Sequence, residues 1–226
     1  MSVDIVIPTF NAGATLARTL SSLAADRAPW PCRVVVCDGG SRDDTVSIAR
    51  DLGAEIASAP RGRGAQLAAG ARGSSGWLLF LHADTTLSPG WTAACAAFME
   101  SPVVDDAAGY FRLRFDSTSR RARWIEGMAA WRGRALGMPY GDQGLLIKRS
   151  FYDRVGGYRP LPLMEDVDLV RRIGRRRLVA LDVDAVTSAA RYERDGWTLR
   201  PMRNLLCLSL FLLGVAPARI ARLYGR

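Results

Sequence analysis

Two groups of acidic residues contain the side chains of this sequence best suited to chemistry. The first comprises Asp4, Asp38 and Asp84, together with Pro8, Thr9 and Asn11. Asp38 and Asp84 each follow an apolar run. A carboxylate there can accept hydrogen bonds from a nucleoside, or can hold Mg²⁺ or Mn²⁺ against a diphosphate, since these ions prefer oxygen ligands and need only one or two carboxylates. The alternative is that each aspartate only caps a turn.

The second acidic group comprises Asp142, Glu165, Asp166 and Asp168. Glu165 and Asp166 follow a proline-containing loop and begin a segment with helical periodicity. Acidic residues often stabilise a helix start without any further role. A carboxylate that faces a cleft beside a second carboxylate can instead act as a general base, which would take the proton from an attacking hydroxyl. Both interpretations remain open from the residues alone.

A basic, glycine-rich segment and a single histidine complete the candidate site. Arg61-Gly62-Arg63-Gly64 leads into an alanine-rich helix, and such a loop can approach a diphosphate closely. The sequence has neither a Walker motif nor a complete dinucleotide fingerprint, so a solvated turn is the alternative. His82 is the only histidine in the sequence. It could contact a metal or a phosphate, or it could have a purely structural role.

Alternating strands and helices must position these residues. The unbroken apolar run 77–81 predicts a strand buried on both faces of a parallel sheet. Further strands are predicted at 3–7 (stopped by Pro8), 33–37 and 54–58. Predicted helices begin at Thr15, after Asp43-Asp44, and at Ala65, and another spans Trp91–Met99. This alternation favours βαβ units with ligands at the carboxyl ends of the strands.

The pattern changes after residue 100. Residues 110–116 alternate between apolar and charged side chains, which predicts a half-exposed strand. The later predicted elements are a helix over Arg120–Leu136, strands at 145–147, 178–183 and 185–187, a helix from Glu165, and helical structure from Trp197 onwards that is broken at Gly214 and Pro217.

Composition indicates a globular protein with anionic partners. A hydrophobic content of 49% allows one sizeable core and excludes a disordered chain. The net charge of +9 comes almost entirely from arginine. It favours sugar nucleotides or an acidic membrane surface as partners, with an arginine-rich composition and solvated charged faces as the alternative. Nucleic acid is not expected, because aromatic residues are not interleaved with the basic clusters.

The four cysteines, Cys32, Cys37, Cys95 and Cys207, match no zinc or redox spacing. We expect them to be reduced core residues of a cytoplasmic protein. No signal peptide is expected before Val3, since a strand begins almost at once.

The C-terminal segment 205–216 is strongly apolar, but it is shorter than the roughly 20 residues that span a bilayer. It is flanked by Arg200, Arg203, Arg219, Arg222 and Arg226. A core or homodimer helix is one interpretation. The other is an interfacial helix that contacts anionic lipid at the inner face of the cell membrane.

Four motifs, in this order and spacing, resemble the family 2 glycosyltransferases of the GT-A fold. They are Ile7-Pro8-Thr9-Phe10-Asn11, the segment 37–45, His82-Ala83-Asp84 and Glu165-Asp166. The resemblance covers about residues 1–190. Segments 61–67, 81–85, 140–144 and 163–167 look more narrowly like the bacterial arsenosugar-biosynthesis-type subgroup.

The resemblance implies an α/β, GT-A-like fold related to the Rossmann fold, with a mostly parallel sheet flanked by helices. A domain over residues 1–195 would hold a nucleotide-binding half (1–100) and an acceptor half (101–195), and 196–226 would form a helical C-terminal extension. The implied activity is an inverting, metal-assisted transfer of a hexosyl or pentosyl group from a nucleotide diphosphate sugar, usually UDP-linked, to an acceptor that the sequence does not identify.

The resemblance also implies roles for individual residues. It places Pro8, Thr9, Asn11 and Asp38 on the nucleotide, Asp84 on Mn²⁺ or Mg²⁺, and Asp166 as the base, with Glu165 beside it. We further predict donor contacts from Arg61, Arg63, Gln66 and Ala83, and acceptor contacts from Asp142 and Gln143.

One departure affects the metal site. The usual acidic triplet, Asp-any-Asp, reads His82-Ala83-Asp84 here, so Asp84 would bind the metal with the phosphates alone or with help from His82. Two other functions remain as alternatives: a nucleotidyltransferase that releases pyrophosphate, and a non-catalytic, basic nucleotide-binding or membrane-surface protein.

Overall fold

One mixed sheet of eight strands carries the candidate site, in a computed structural model that describes residues 1–102 and 104–223. Arg226, expected to flank the apolar C-terminal segment, lies outside these residues. The strands are β1 Val3–Thr9, β2 Cys32–Asp38, β3 Glu55–Ser58, β4 Trp77–Phe80, β5 Thr85–Leu87, β6 Ala108–Phe115, β7 Leu145–Lys148 and β8 Leu178–Thr187. Their order across the sheet is β3-β2-β1-β4-β7-β6-β8-β5.

The first four strands are parallel, as the alternation of strands and helices predicts. β1 pairs with β2 and β4, and β2 pairs with β3. The prediction that Pro8 stops β1 is wrong, because Pro8 pairs with Cys37 and the strand continues to Thr9. Pairing with β4 ends at Val6, so β1 has only one neighbour at Pro8. A residue without an N–H is tolerated at such an edge position.

The strands of the second half complete the same sheet. β7 is antiparallel to β4 and β6, while β8 is parallel to β6 and antiparallel to β5. Consequently β6 and β8 run in the same direction as β1 and β4. Two strands were predicted within 178–187, but one continuous strand forms, with a shift of register against β6 between Tyr110 and Arg112. β5 was not predicted.

Ten α-helices are assigned in the described part of the chain: α1 Gly13–Ala25, α2 Thr45–Asp51, α3 Arg63–Gly70, α4 Trp91–Met99, α5 Arg120–Leu136, α6 Arg149–Arg154, α7 Glu165–Ile173, α8 Ala190–Asp195, α9 Leu199–Leu212 and α10 Pro217–Leu223. The predicted bounds of α4 and α5 are confirmed, as is the break between α9 and α10. α6 and α8 were missed because six residues are too few to show a helical period.

The core confirms that β4 is buried on both faces. Trp77 and Leu79 pack in one apolar cluster with side chains of α1 and α4, whereas Leu78 and Phe80 pack in a second cluster with α3, α6 and α7. All four side chains are at most 4% exposed. The sheet therefore lies between two helical layers, which fixes the carboxyl ends of its parallel strands.

A close backbone contact positions the segment that precedes α7. A Cβ atom added at Gly64, in the first turn of α3, would lie 2.2 Å from the carbonyl oxygen of Arg159 and 3.0 Å from the nitrogen of Leu161. Backbone atoms cannot move aside as a flexible side chain can. Glycine at position 64 therefore sets the distance between α3 and the segment leading to Glu165 and Asp166.

The four cysteines are free, but Cys32 is exposed, so the prediction that all four are core residues is wrong for this one. Cys32 is the first residue of β2, where the strand is still open to solvent. Among the described helices, none combines the length and apolar character needed to cross a membrane.

We expect Gly64→Ala to lower the free energy of unfolding by about 1–3 kcal/mol, because the new methyl group overlaps fixed backbone atoms. Gly127→Ala is the matched control, since nothing lies within 4 Å of a Cβ atom at this position in α5. The control should be neutral or stabilising by about 0.5–1 kcal/mol. Urea unfolding measures both, and equal stabilities for the two variants would contradict the packing constraint.

Candidate functional site

Two cavities meet at the carboxyl edge of the sheet. The larger cavity, about 580 Å³, lies beside the ends of β1 and β4, and the smaller cavity, about 140 Å³, lies between β8, α7 and α9. Residues that border both are Arg63, His82, Asp84, Ser188 and Arg191. Predicted site residues around the larger cavity are Pro8, Thr9, Asn11, Arg61, Gln66 and Ala83. Those around the smaller cavity are Asp142 and Asp166.

Asp38 organises the loop after β2. Its carboxylate accepts hydrogen bonds from the hydroxyls of Thr9 (2.9 Å) and Ser41 (2.5 Å) and from the backbone N–H groups of Gly40 (2.9 Å) and Ser41 (2.8 Å). Burial alone would raise the pKa of Asp38, but these hydrogen bonds outweigh it and lower the pKa. Asp38 is therefore an ionised anchor beneath the loop and is not among the residues that line the larger cavity.

Asn11 joins the loops that follow β1 and β2. Its side-chain oxygen accepts from the N–H of Arg42 (2.9 Å), and its own N–H donates to the hydroxyl of Ser41 (2.8 Å). Its φ of +50° is one that asparagine tolerates better than most residues. Asp4, in contrast, forms an ion pair with Arg33 at 2.9 Å near the start of β1, and so is separated from the other acids of its predicted group.

Two predicted ligand-binding glutamines support the backbone. The amide nitrogen of Gln66 donates to the carbonyl oxygens of Thr9 (2.6 Å) and Cys37 (2.8 Å), and so ties the ends of β1 and β2 to α3. The amide nitrogen of Gln143 donates to the carbonyl oxygen of Phe111 at 3.1 Å. Both side chains are at most 2% exposed. Their positions suit holding the walls of the cavities more than contacting a ligand.

Arg63 borders both cavities and forms an ion pair with a buried glutamate. Its Nε lies 2.6 Å from a carboxylate oxygen of Glu165, which is 1% exposed. Burial would lower the pKa of Arg63, but Glu165, Asp166 and Asp142 outweigh it and raise the pKa. Glu165, predicted to act beside the base, thus lies behind the wall of the cleft as the partner of Arg63.

His82 carries a neutral imidazole at the centre of the cleft. Burial, with the Arg63 guanidinium nearby, lowers its pKa to about 4, against the opposing influence of Asp84 and Asp166. A Cβ atom on Gly141 would lie 2.6 Å from its Nε2, so the absence of a side chain at Gly141 gives the ring its space. A neutral imidazole can offer a lone pair to a metal.

Asp84 has an arginine partner that the sequence did not suggest. Arg191, in α8, lies 3.3 Å from the Asp84 carboxylate, and its side chain is 56% exposed. β8 is parallel to β4 and ends at Thr187, so its carboxyl end lies at the same edge. Had the direction of β8 been known, the same reasoning that selected Asp84 would have pointed to the residues that follow Thr187.

Asp166 is fixed at the start of α7, on the wall of the smaller cavity. One of its oxygens accepts from the N–H of Gly141 at 2.8 Å, and the other accepts from the N–H of Val167 at 2.8 Å. Met164, just before the helix, has a left-handed conformation with φ of +64°, which is uncommon for a residue with a long side chain. Such strain is often found where a side chain must be held in a functional position.

Asp142 lines the smaller cavity with a carboxylate oxygen that has no hydrogen-bond partner among residues 1–102 and 104–223. Burial raises its pKa to about 6, helped by Asp166 and Asp84 and opposed by Arg132 and Arg63. A buried oxygen without a partner is costly unless a ligand or water satisfies it. Asp142 is therefore well suited to hydrogen-bond a molecule in the smaller cavity.

The side chains at the junction of the two cavities suit a metal ion that takes its remaining ligands from a bound phosphate and water. Within the described chain, no three histidine, cysteine, aspartate or glutamate side chains are grouped as a metal cage. Asp84 supplies a carboxylate and His82 a neutral nitrogen at the junction of the two cavities. Mg²⁺ and related ions commonly take one or two protein carboxylates and fill their other positions with phosphate oxygens and water.

Curated relatives match part of the chain. An N-acetylglucosaminyltransferase of Rhizobium sp. (strain N33) is 32% identical over 134 residues, or 55% of this chain. The validoxylamine A glucosyltransferase of Streptomyces hygroscopicus subsp. limoneus is 36% identical over 115 residues, or 44% of this chain. The chain covers only 29% and 24% of their lengths, respectively.

Solved structures with bound nucleotide sugars share the fold. The mannosyltransferase PcManGT from Pyrobaculum calidifontis, in complex with GDP-Man and Mn²⁺, has a TM-score of 0.64 and 18% identity, with coverage of 96% of this chain and 66% of its own. S. aureus TarS 1–349 in complex with UDP-GlcNAc has a TM-score of 0.60 and 16% identity, with coverage of 83% and 59%. The α/β sheet with flanking helices is thus the GT-A fold. Because the model of glycosyl transferase family 2 matches residues 4–161, well over half of the chain, this protein belongs to that family.

Proposed function

We propose that the protein transfers a sugar from a nucleotide diphosphate sugar, UDP-linked, to an acceptor hydroxyl with inversion at the anomeric carbon. The observation that carries this proposal is the junction of two cavities at Asp84, with Asp166 on the wall of the smaller one. The family supports glycosyl transfer over the nucleotidyl-transfer alternative. The resemblance to the arsenosugar-biosynthesis-type subgroup stays a prediction, and it does not identify the substrate.

The larger cavity suits the donor. Its wall includes the loop after β1 and the loop before α3, and hydrogen bonds from Thr9 to Asp38 and from Gln66 to Thr9 anchor the first of these loops. Arg61 stacks over the ring of Phe10, with its guanidinium carbon 4.0 Å from the ring centroid. Arg63 and Arg191 bring positive charge to the point where a diphosphate would lie. Solved relatives of the same fold are bound to UDP-GlcNAc and GDP-Man, which supports a nucleotide sugar.

Asp84, with His82 beside it, would hold Mn²⁺ or Mg²⁺ against the diphosphate. The ion, when bound, would neutralise the negative charge that develops on the leaving nucleoside diphosphate. The likeness to PcManGT, solved with GDP-Man and Mn²⁺, supports this assignment. Asp84 would exchange its ion pair with Arg191 for the metal, which leaves Arg191 available for the phosphates.

The smaller cavity suits the acceptor. Asp142 would hydrogen-bond the acceptor, and Asp166 would accept the proton of its hydroxyl. As the acceptor oxygen forms its bond to the anomeric carbon, the bond from that carbon to the diphosphate breaks on the opposite side. The nucleoside diphosphate leaves with the bonding electrons. The hydrogen bond from the N–H of Gly141 holds the Asp166 carboxylate in place for this step.

We expect Asp84→Asn to weaken Mn²⁺-dependent UDP binding at least roughly tenfold, because it removes the charged oxygen ligand. Asp38→Asn should weaken UDP binding both with and without Mn²⁺, since the loop after β2 loses its ionised anchor. Isothermal titration calorimetry with and without Mn²⁺ separates the two effects. Wild-type affinity in both variants would refute the donor site.

We expect Asp166→Asn to lower the rate of sugar transfer by about 10² to 10⁴ while leaving UDP affinity unchanged, because the variant loses its basicity but keeps the side-chain shape and one of the two backbone hydrogen bonds. Glu165→Gln should behave differently. It leaves Arg63 without its buried anionic partner, so thermal stability should fall. If Glu165→Gln abolishes transfer at unchanged stability and Asp166→Asn does not, the base is Glu165.

The raised pKa of Asp142 predicts a pH-dependent stability. The folded protein, with a pKa of about 6 at this carboxyl against the ordinary aspartate pKa of 3.8, binds more protons than the unfolded chain between these values. The contribution of Asp142 to stability is therefore favourable near pH 4 and is lost as the pH rises to about 6. Asp142→Asn should remove this decline and be more stable than wild type above pH 6. Thermal unfolding at pH 4 to 8 measures it, and identical pH profiles would contradict the assignment.

A further inference from the structure

The outer face of α5 exposes a continuous apolar stripe. Trp124, Met128 and Trp131 follow helical spacing and are 64%, 45% and 54% exposed. The opposite face, with Ile125 and Ala129, packs against β6. Two tryptophans at this exposure are unusual on a solvated helix and mark an interaction surface.

α9 carries a second outer apolar face. Leu199, Met202, Leu205 and Leu206 are 58–69% exposed, whereas Cys207 on the inner side is buried. This helix packs inward on the segment before α7. α9 therefore has apolar residues on two sides. The inner side packs against other described residues, whereas the outer side is exposed to solvent.

α9 borders the smaller cavity, and α5 contacts one of the residues that line it. α9 contributes Arg200 and Asn204 to the cavity wall. α5 reaches it through Arg132, whose guanidinium carbon lies 3.4 Å from the ring centroid of Tyr140, itself a wall residue. Both helices therefore contact residues that form the wall of the smaller cavity or belong to that wall.

The charged side chains of α5 and α9 themselves are almost all arginines. The chain has no aspartate or glutamate after Asp195, and the only acid of α5 is Glu126, which is buried and paired with Arg114 and Arg123. Exposed arginines near the two faces are Arg120, Arg121, Arg134, Arg203, Arg219 and Arg222. A second copy of the chain would bring like charges together on this surface. An anionic surface would complement both the charge and the apolar side chains.

We propose that the outer faces of α5 and α9 form a docking surface for an anionic lipid bilayer. Tryptophan and leucine side chains enter the boundary between headgroups and acyl chains, and the arginines contact the lipid phosphates. Docking in this orientation brings the smaller cavity close to the membrane. The proposal depends on these two faces and not on the chemistry of the cleft.

The test is co-sedimentation of the full chain with vesicles of phosphatidylcholine alone or mixed with phosphatidylglycerol. We expect binding to the mixed vesicles that weakens with salt, and little binding to the neutral ones. Trp124→Gln/Trp131→Gln should lower the affinity at least roughly tenfold, because the apolar contact is lost. Leu52→Gln, at a residue of similar exposure on a distant surface, is the matched control and should bind like wild type.

A charge variant and two further measurements complete the test. Arg120→Gln/Arg121→Gln should weaken binding to mixed vesicles about fivefold for each arginine removed. The midpoint of thermal unfolding and the affinity for UDP should match wild type in every variant. These two measurements distinguish a loss of vesicle binding from misfolding and from a loss of donor binding. Negligible binding to both vesicles, or binding insensitive to the tryptophan change, overturns the proposal. A dimer in sedimentation equilibrium that dissociates in the tryptophan variant assigns the surface to a second copy and also overturns it.

Discussion

The ion pair between Arg63 and Glu165 is the interaction on which the geometry of the cleft depends. It joins the first residue of α3 to the first residue of α7 at 2.6 Å, and thus links the wall of the larger cavity to the helix that carries Asp166. A buried charge is tolerated only when its partner is present. Arg63 also offsets the negative charge of Asp142 and Asp166, so three carboxylates can lie around one small volume.

The orientation of the strands gives this ion pair its setting. Because β6 and β8 run parallel to β1 and β4, the ends of strands from both halves of the chain lie at one edge. Phe115 and Thr187, the last residues of β6 and β8, border the same cavity as Asp84 and Asp166. The cleft is therefore built from both halves, and neither half alone contains all of its walls.

Local sequence patterns predicted those features that depend on residues close together in the sequence. The apolar run at 77–81 and the acids after two strands were enough to place β4 and to bring Asp84 to the edge, because strand polarity follows from βαβ alternation. The same patterns could not show that Gln66 and Gln143 bond to backbone carbonyls, or that Glu165 pairs with Arg63. These contacts join residues far apart in sequence, and a short element such as α8 shows no periodicity. Arg191 was missed for that reason.

The position of β5 has a consequence for how the chain is made. β5 follows β4 by only a few residues, yet among residues 1–102 and 104–223 it pairs only with β8. The hydroxyl of Thr86 donates a hydrogen bond to the carbonyl oxygen of Val186, 100 residues further along the sequence. During synthesis from the N-terminus, this strand must wait unpaired until residues 178–187 have left the ribosome. The last strand to be synthesised thus closes the sheet around one of its early members, and the long loop that must be closed first favours slow folding of this edge.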